Sequence, residues 1–220
     1  MQKIIVFGPS IFGEIVYHYL KEEKEYEIVG FSANKERISE KKFLGLPVIP
    51  FETIENEFPP EEYKMFIAIG YQKMNKPREK IFNEAKKKGY ELISYISPKA
   101  TIWNDTKIGE NCFIFENNVI QPFVKIGNNV VLWSGNHIGH GVQIFDHCYI
   151  SSHVVIAGFA KIQKNCFLGI NSSIRDEVTI GRECVIGAGS IILNDTNEKE
   201  VYSSGTTKKL SITSDKIKKI

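Results

Sequence analysis

A chain of 220 residues is long enough for one large domain or two small ones, each able to bury a core of its own. With 28 basic and 26 acidic residues the net charge is only +2, so no broad field recruits nucleic acid or a membrane surface. The apolar opening, Met1 to Phe7, is shorter than a signal peptide's core, and no later run reaches the roughly 18 residues of a membrane span, which makes the cytoplasm the expected address.

In chain order, Lys3 to Phe7 reads as a short buried strand, Gly8-Pro9-Ser10-Ile11-Phe12-Gly13 as a tight turn, and Ile11 to Leu20 as a helix. Tyr26 to Phe31 and Lys64 to Ile69 supply further strands, Lys73 to Lys88 a charged amphipathic helix, and Glu91 to Ile96 a last strand before Ser97-Pro98. Alternating strands and helices predict a small parallel, Rossmann-like α/β sheet over residues 1–97. The first turn carries two of the three dinucleotide-fingerprint glycines, with Ser10 in the middle place, and Ser32 stands where an acid is usual. The glycines serve either the turn alone or backbone amides that hold a nucleotide diphosphate at a helix N-terminus. Open sheets bind ligands at strand carboxyl ends, which makes Gly8, Ser10, Ser32, Gly70 and Tyr71 the candidate nucleotide-sugar residues.

From Ile102 onward every sixth residue is Ile or Leu, through Ile192, at 16 positions without a slip. Two residues before each, from the second onward, stands something compact, such as Thr106, Cys112, Asn118, Val124 or Ala160. A period of six is neither helical nor a simple alternation. Short strands joined by sharp corners explain it, three closing one triangular coil of 18 residues, with the long aliphatic residue filling the interior and the compact one fitting the corner. Residues 98–220 therefore read as a parallel β-helix of about five coils, roughly 24 Å long at ordinary strand spacing. Cys112, Cys148, Cys166 and Cys184, spaced by 36, 18 and 18, fall in one corner of the coils as small buried hydrophobes rather than a disulfide set or metal site. The polar tail after Val201, ending in Lys216-Ile217-Lys218-Lys219-Ile220, is expected to cap the prism or to lie solvated.

An α/β domain ahead of such a prism, with the stretches FGPSIFGEI, FIAIGYQ, NHIGHGVQI and NCFLGINSSI, resembles the hexapeptide-repeat sugar acyltransferases, the group of sialic acid O-acetyltransferases and nucleotide-amino-sugar N-acetyltransferases of bacterial glycan synthesis. The resemblance covers nearly the whole chain. It implies a left-handed β-helix, a homotrimer with active sites shared between subunits, a nucleotide-linked amino sugar as acceptor, and acetyl-CoA as co-substrate with no metal. It also implies that His140, in an Ile-x-His pattern after Ile138, is the general base, and that the backbone of Gly158 serves the oxyanion. Gly158, Gly169, Ile170, Asn171, Ala188 and Gly189 fall where coenzyme A passes in the resembling enzymes.

Transfer to an amine at neutral pH needs a base to take a proton as nitrogen attacks the thioester, and a histidine suits that task. Four of the five histidines, His137, His140, His147 and His153, lie within less than one coil. For His140 the structural alternative is an outward corner side chain. Trp133, His137, Asp146 and His147 are possible substrate contacts, with surface or inter-subunit packing as the alternative for the histidines. The chain departs from the family in having Gly141 where an acid often follows the base, Trp133-Ser134 for a common Asn-Thr pair, and Ser204-Gly205-Thr206-Thr207 for a Gly-x-Pro-Ala turn. Asp146 or a neighbouring subunit is therefore the expected partner that orients His140.

Three rivals stand beside N-acetyl transfer: O-acetylation of the sialic acid type, a non-catalytic trimer that binds a nucleotide sugar, and a zinc lyase like the γ-type carbonic anhydrases. The histidine separations of 3, 7 and 6 do not match the metal spacing of that last family.

Overall fold

The structure is a computed structural model and describes residues 1–207 and Ser211. The expected cap at Lys216 to Ile220 lies outside the described residues. The amino-terminal region forms a five-stranded sheet from β1 (Gln2–Phe7), β2 (Tyr26–Ala33), β3 (Lys42–Phe43), β4 (Leu46–Pro50) and β5 (Lys64–Ile67), in the order β3-β4-β2-β1-β5. All neighbours pair in parallel except the small antiparallel hairpin β3–β4. That hairpin is absent from the sequence expectation, because its strands are short and broken by Leu44-Gly45 and Pro47.

Helix α1 (Ile11–Glu22) starts where Ser10 caps it, the hydroxyl accepting from the Gly13 amide at 3.4 Å. Helix α2 spans Lys76–Lys87, three residues later than expected. Lys73, Met74 and Asn75 all adopt left-handed backbone angles, with φ of 49°, 50° and 60°, so the helix begins only after them, with Pro77 in its first turn.

The carboxy-terminal region is a left-handed, three-sided β-helix whose strands are two residues long and whose faces hold six, five and seven parallel strands. The strand expected from Glu91 to Ile96 divides: Leu92 bridges to Met65 in the first sheet, whereas Tyr95–Ile96 pairs with Phe113–Ile114 in the prism. The six-residue repeat thus begins one strand earlier than Ile102, at Ile96. The interior is a stack of aliphatic side chains from Ile114 to Ile192, almost all of them fully buried. Cys112, Cys148, Cys166 and Cys184 are buried, unpaired and in one corner. Each thiol donates to a carbonyl of the coil above, as Cys148 does to Gln163 O at 3.1 Å. Burial pushes the Cys112 thiol up to about 11, as expected of a packing residue rather than a nucleophile.

The outward residue of each strand gives the three faces different characters. One face carries Lys107, Lys125, Gln143, Lys161 and Thr179 and is polar. A second carries Val119, His137, Val155 and Ile191, of which Val119, Val155 and Ile191 are 40%, 43% and 69% exposed. The third carries Tyr95, Phe113, Val131, Tyr149 and Phe167 and lies beneath the amino-terminal domain. There Tyr19 of α1 meets the rings of Tyr95, Phe113 and Phe115 edge-on at 5.6, 5.8 and 5.2 Å, and Phe66 of β5 meets Phe113 at 5.5 Å. A single apolar cluster therefore joins the two regions.

Candidate functional site

The turn after β1 is shaped by close approach. Gly8 has φ of +109°, and a Cβ there would lie 2.6 Å from the Ala68 carbonyl oxygen. A Cβ on Gly13 would lie 2.0 Å from the Gly8 carbonyl oxygen, so these two glycines let helix and strand meet. The amides of Ile11 and Phe12 have no partner within the helix and open towards the sheet's carboxyl edge. Ser32 is placed differently from the expectation. It is fully buried between β1 and β4, its hydroxyl without a hydrogen-bond partner, because the unforeseen strand β4 covers that edge of β2.

Gly70 and Tyr71 lie in the loop after β5, which leaves the sheet and crosses to the prism. The Tyr71 ring, half exposed, packs 5.0 Å from Tyr149 and 4.7 Å from Phe167. Its loop is anchored by Asn75, whose side chain donates to Cys166 O at 3.2 Å, and by Arg78. Arg78 is fully buried and donates to the carbonyls of His147 and Cys148 at 3.3 and 3.0 Å, with no acidic partner among the described residues. Burial lowers its pKa to about 10, so it stays charged.

Tyr71 forms one wall of a mainly apolar cleft of about 430 Å³. Trp133, Tyr149 and Phe167 supply the aromatic wall, Ser151 and Ser152 the floor, and Gly169, Ile170 and Ala188 the far end. The expected acceptor residues Tyr71 and Trp133 therefore share one cavity with three of the expected coenzyme A residues. Asn171 and Gly189 occupy left-handed corners, with φ of 55° and 66°, beside it. A Cβ on Gly169 would lie 2.6 Å from the Ala188 amide nitrogen, so packing between coils already demands this glycine.

His140 is elsewhere. The cleft follows the edge between the aromatic and apolar faces, whereas His140 stands exposed on the edge between the apolar and lysine faces. Its amide donates to Gln121 Oε1 at 2.9 Å, and its ring lies 4.9 Å from Phe159, edge to face. Gly158 lies against that ring, where a Cβ would approach the imidazole Cε1 to 2.7 Å. The Gly158 amide, expected to face an oxyanion, instead donates to Asp176 Oδ1 at 2.9 Å, so in this state it is engaged.

Two expectations fail outright within the protomer. Asp146 does not orient His140; it sits on the third edge, paired with Lys164 at 2.8 Å and accepting from the Asn128 amide at 2.9 Å. His147 is no cleft residue, being 6% exposed beneath α2 with Phe82 edge-on at 5.6 Å. His137 lies half-buried between Val119 and Val155 on the apolar face, and His153 occupies a left-handed corner beside Gly135. Among the described residues no group of three or more His, Cys, Asp or Glu is placed to hold a metal ion, and no helix is long and apolar enough to cross a membrane.

His147 makes a pH prediction. It follows Asn111 and Asn129 in a corner ladder, Asn111 donating to Asn129 Oδ1 at 2.8 Å and Asn129 meeting His147 Nδ1 at 2.9 Å. Burial pushes its pKa below the ordinary value, with Arg78 and Lys164 adding to this and Glu79 and Asp146 opposing it. The unfolded chain then binds the proton first as pH falls, so stability is lost below about pH 6.5, the ordinary histidine value. His147→Asn restores the corner's usual left-handed residue and is expected to flatten the fall in thermal midpoint between pH 7 and pH 5. An unchanged slope in that variant would exclude His147 as its source.

Residues 3–85 match the family model described as the PglD N-terminal domain, and residues 92–187 match that described as the GMPPB C-terminal domain. No curated protein matches the sequence. Among solved structures, the acetyltransferase domain of PglB from Neisseria gonorrhoeae superposes with a TM-score of 0.81 at 23% identity, over 91% of this chain and 96% of that one. The GDP-perosamine N-acetyltransferase of Caulobacter crescentus, in complex with CoA and GDP-perosamine, gives 0.80 at 20% identity over 91% and 93%. WeeI from Acinetobacter baumannii gives 0.72 at 19% identity over 91% and 96%. These likenesses establish the fold over nine-tenths of the chain: an α/β domain seated on a hexapeptide-repeat β-helix.

Proposed function

We propose that the protein is an acetyl-CoA-dependent N-acetyltransferase for a nucleotide-linked amino sugar, acting in the cytoplasm as a homotrimer with His140 as general base. The carrying observation is the cleft in which Tyr71 and Trp133 meet Gly169, Ile170 and Ala188. Residues 1–97 present the nucleotide-sugar site, with the Gly8-to-Gly13 turn offering helix amides to a diphosphate, and residues 98–220 present the acetyl-CoA site. The fold supports this reading: the PglB domain has been solved with acetyl coenzyme A, and the Caulobacter enzyme with CoA and GDP-perosamine.

The separation of His140 from the cleft supports the trimer. Both flank the apolar face, the one with exposed Val119, Val155 and Ile191, so a second copy covering that face brings its His140 to the cleft's rim. The amine nitrogen then attacks the thioester carbon as His140 removes its proton. The tetrahedral intermediate collapses with loss of the CoA thiolate, which takes a proton from the imidazolium, leaving an N-acetyl sugar and the free thiol. The Gly158 amide can serve the oxyanion once it leaves Asp176.

Acetyl-CoA with nucleotide-linked amino sugars bearing the amine at C3 or C4 is the direct test, read as thiol release. Release with at least one of them is expected. No release across the panel, with transfer to a sialic acid instead, would replace N- by O-acetylation; coenzyme A binding with no transfer to any acceptor would leave a binding trimer.

A further inference from the structure

Within the cleft, Trp133 donates its indole N–H to the oxygen of Tyr149. An indole nitrogen only donates, so this contact uses a lone pair of the phenol and leaves the phenol's own proton uncommitted. Among the described residues the hydroxyl has no other hydrogen bond. Tyr149 is 5% exposed, yet it lines the cleft, where its neighbours Tyr71, Phe167 and Ile170 give most of the wall an apolar surface. Burial raises its pKa to about 12, against the lowering pull of Trp133 and Arg78, so the proton is present throughout the physiological range. A polar group oriented by a partner on a mainly apolar wall is how ligand sites fix orientation.

We propose that the Tyr149 hydroxyl, held by Trp133, donates a hydrogen bond to an oxygen of the acceptor sugar and so selects among amino sugars. The acceptor rather than the thioester is its partner because of its position. Tyr149 lies under Tyr71 of the amino-terminal domain, at 5.0 Å between rings, and Trp133 lies one coil before it, whereas the coenzyme A candidates Gly169 and Ala188 follow in the next two coils. Arg78 reinforces the arrangement, its guanidinium 5.5 Å from the centre of the Tyr149 ring on the buried side. This inference rests on the proposed acetyl transfer and adds to it a specificity-determining residue.

Tyr149→Phe keeps the ring packing and removes only the hydroxyl. With the amino sugar found active in the panel, KM for the acceptor is expected to rise about 10- to 100-fold, as for a site left without its hydrogen bond. The turnover at saturation, KM for acetyl-CoA and coenzyme A binding are expected to stay near the parent's, the last also reporting an intact fold. Trp133→Phe is expected to raise the acceptor KM less, and the double variant to match Tyr149→Phe alone, since the indole acts through the phenol. An unchanged acceptor KM in Tyr149→Phe overturns the inference while leaving the acetyltransferase reading standing. So does a loss confined to turnover or to acetyl-CoA, which would put the hydroxyl on the thioester. A parent enzyme that acetylates no amino sugar overturns the reading and the inference together.

Discussion

His140→Ala is expected to lower turnover by about 10²- to 10⁴-fold, the usual contribution of a general base, while coenzyme A binding and trimer formation persist. The imidazole is exposed on a corner, its ring lying against Phe159 and Gly158, so its loss opens no core cavity. The sharper form of the experiment uses geometry. The cleft and His140 lie on opposite sides of the apolar face, so each proposed site takes its cleft from one protomer and its base from another. Ala188→Trp, which fills the far end of the cleft, is expected to be inactive as well. If the two inactive proteins are unfolded together and refolded as mixed trimers, roughly a quarter of the sites should combine an intact cleft with an intact His140, given random assortment around a closed ring. Recovery to about that level is the expected result. Mixed trimers that remain inactive would mean that base and cleft belong to the same chain, and His140 would lose its role.

The prism was legible because its signal is dense: one aliphatic residue in six, repeated 16 times, admits few other structures. A second periodicity, not read from the sequence, was equally present. From Asn111 to Gly189 the residue three places before each aliphatic one adopts a left-handed backbone, which is why Asn and Gly recur there; Phe123, His147, His153, Phe159, Glu177 and Glu183 are the exceptions that need a further reason. A third, Tyr95, Phe113, Tyr149 and Phe167 at multiples of 18, marks the face that must be covered. It would have placed Tyr149 and Phe167 in the site, since an aromatic ring turned outward from a solenoid asks for a partner surface. Other features were not legible at all. Ser32 looked like a rim residue because strand β4, too short and too rich in turn residues to stand out, could not be seen beside it. His147 and Asp146 looked like neighbours of His140 because the sequence places them close, but six residues carry the chain around a full corner to another edge. Arg78 gave no signal on a charged helix, since only the docking of α2 onto the prism shows that it is enclosed.

Val155→Glu is the second change of large expected effect, and it tests the assembly through the same face. The Val155 side chain points outward between His137 and Ser173 and is 43% exposed, so the substitution leaves the prism interior untouched. Around it the protomer exposes Val119 and Ile191, and at the edge Phe123 and Phe159, 67% and 53% exposed. Both phenylalanines hold left-handed angles, with φ of 66° and 57°, a conformation that costs an ordinary residue about 1 kcal/mol or more. Within the protomer the rings are only partly covered, Phe159 by His140 and Gly141; a second copy packed on the face would bury the rest and offset that cost. Three copies around an axis would then bring three introduced carboxylates into an apolar interface, where burying unpaired charge is prohibitive. The expected result is a monomer by light scattering with unchanged far-ultraviolet circular dichroism, and with acetyl transfer lost because no cleft receives a neighbour's His140. Lys161→Glu, an equal introduction of acid on the lysine face, is the control expected to change neither assembly nor activity. A Val155→Glu protein that stays trimeric would place the interface on another face, and one that became monomeric with full activity would show the site to be complete in a single chain.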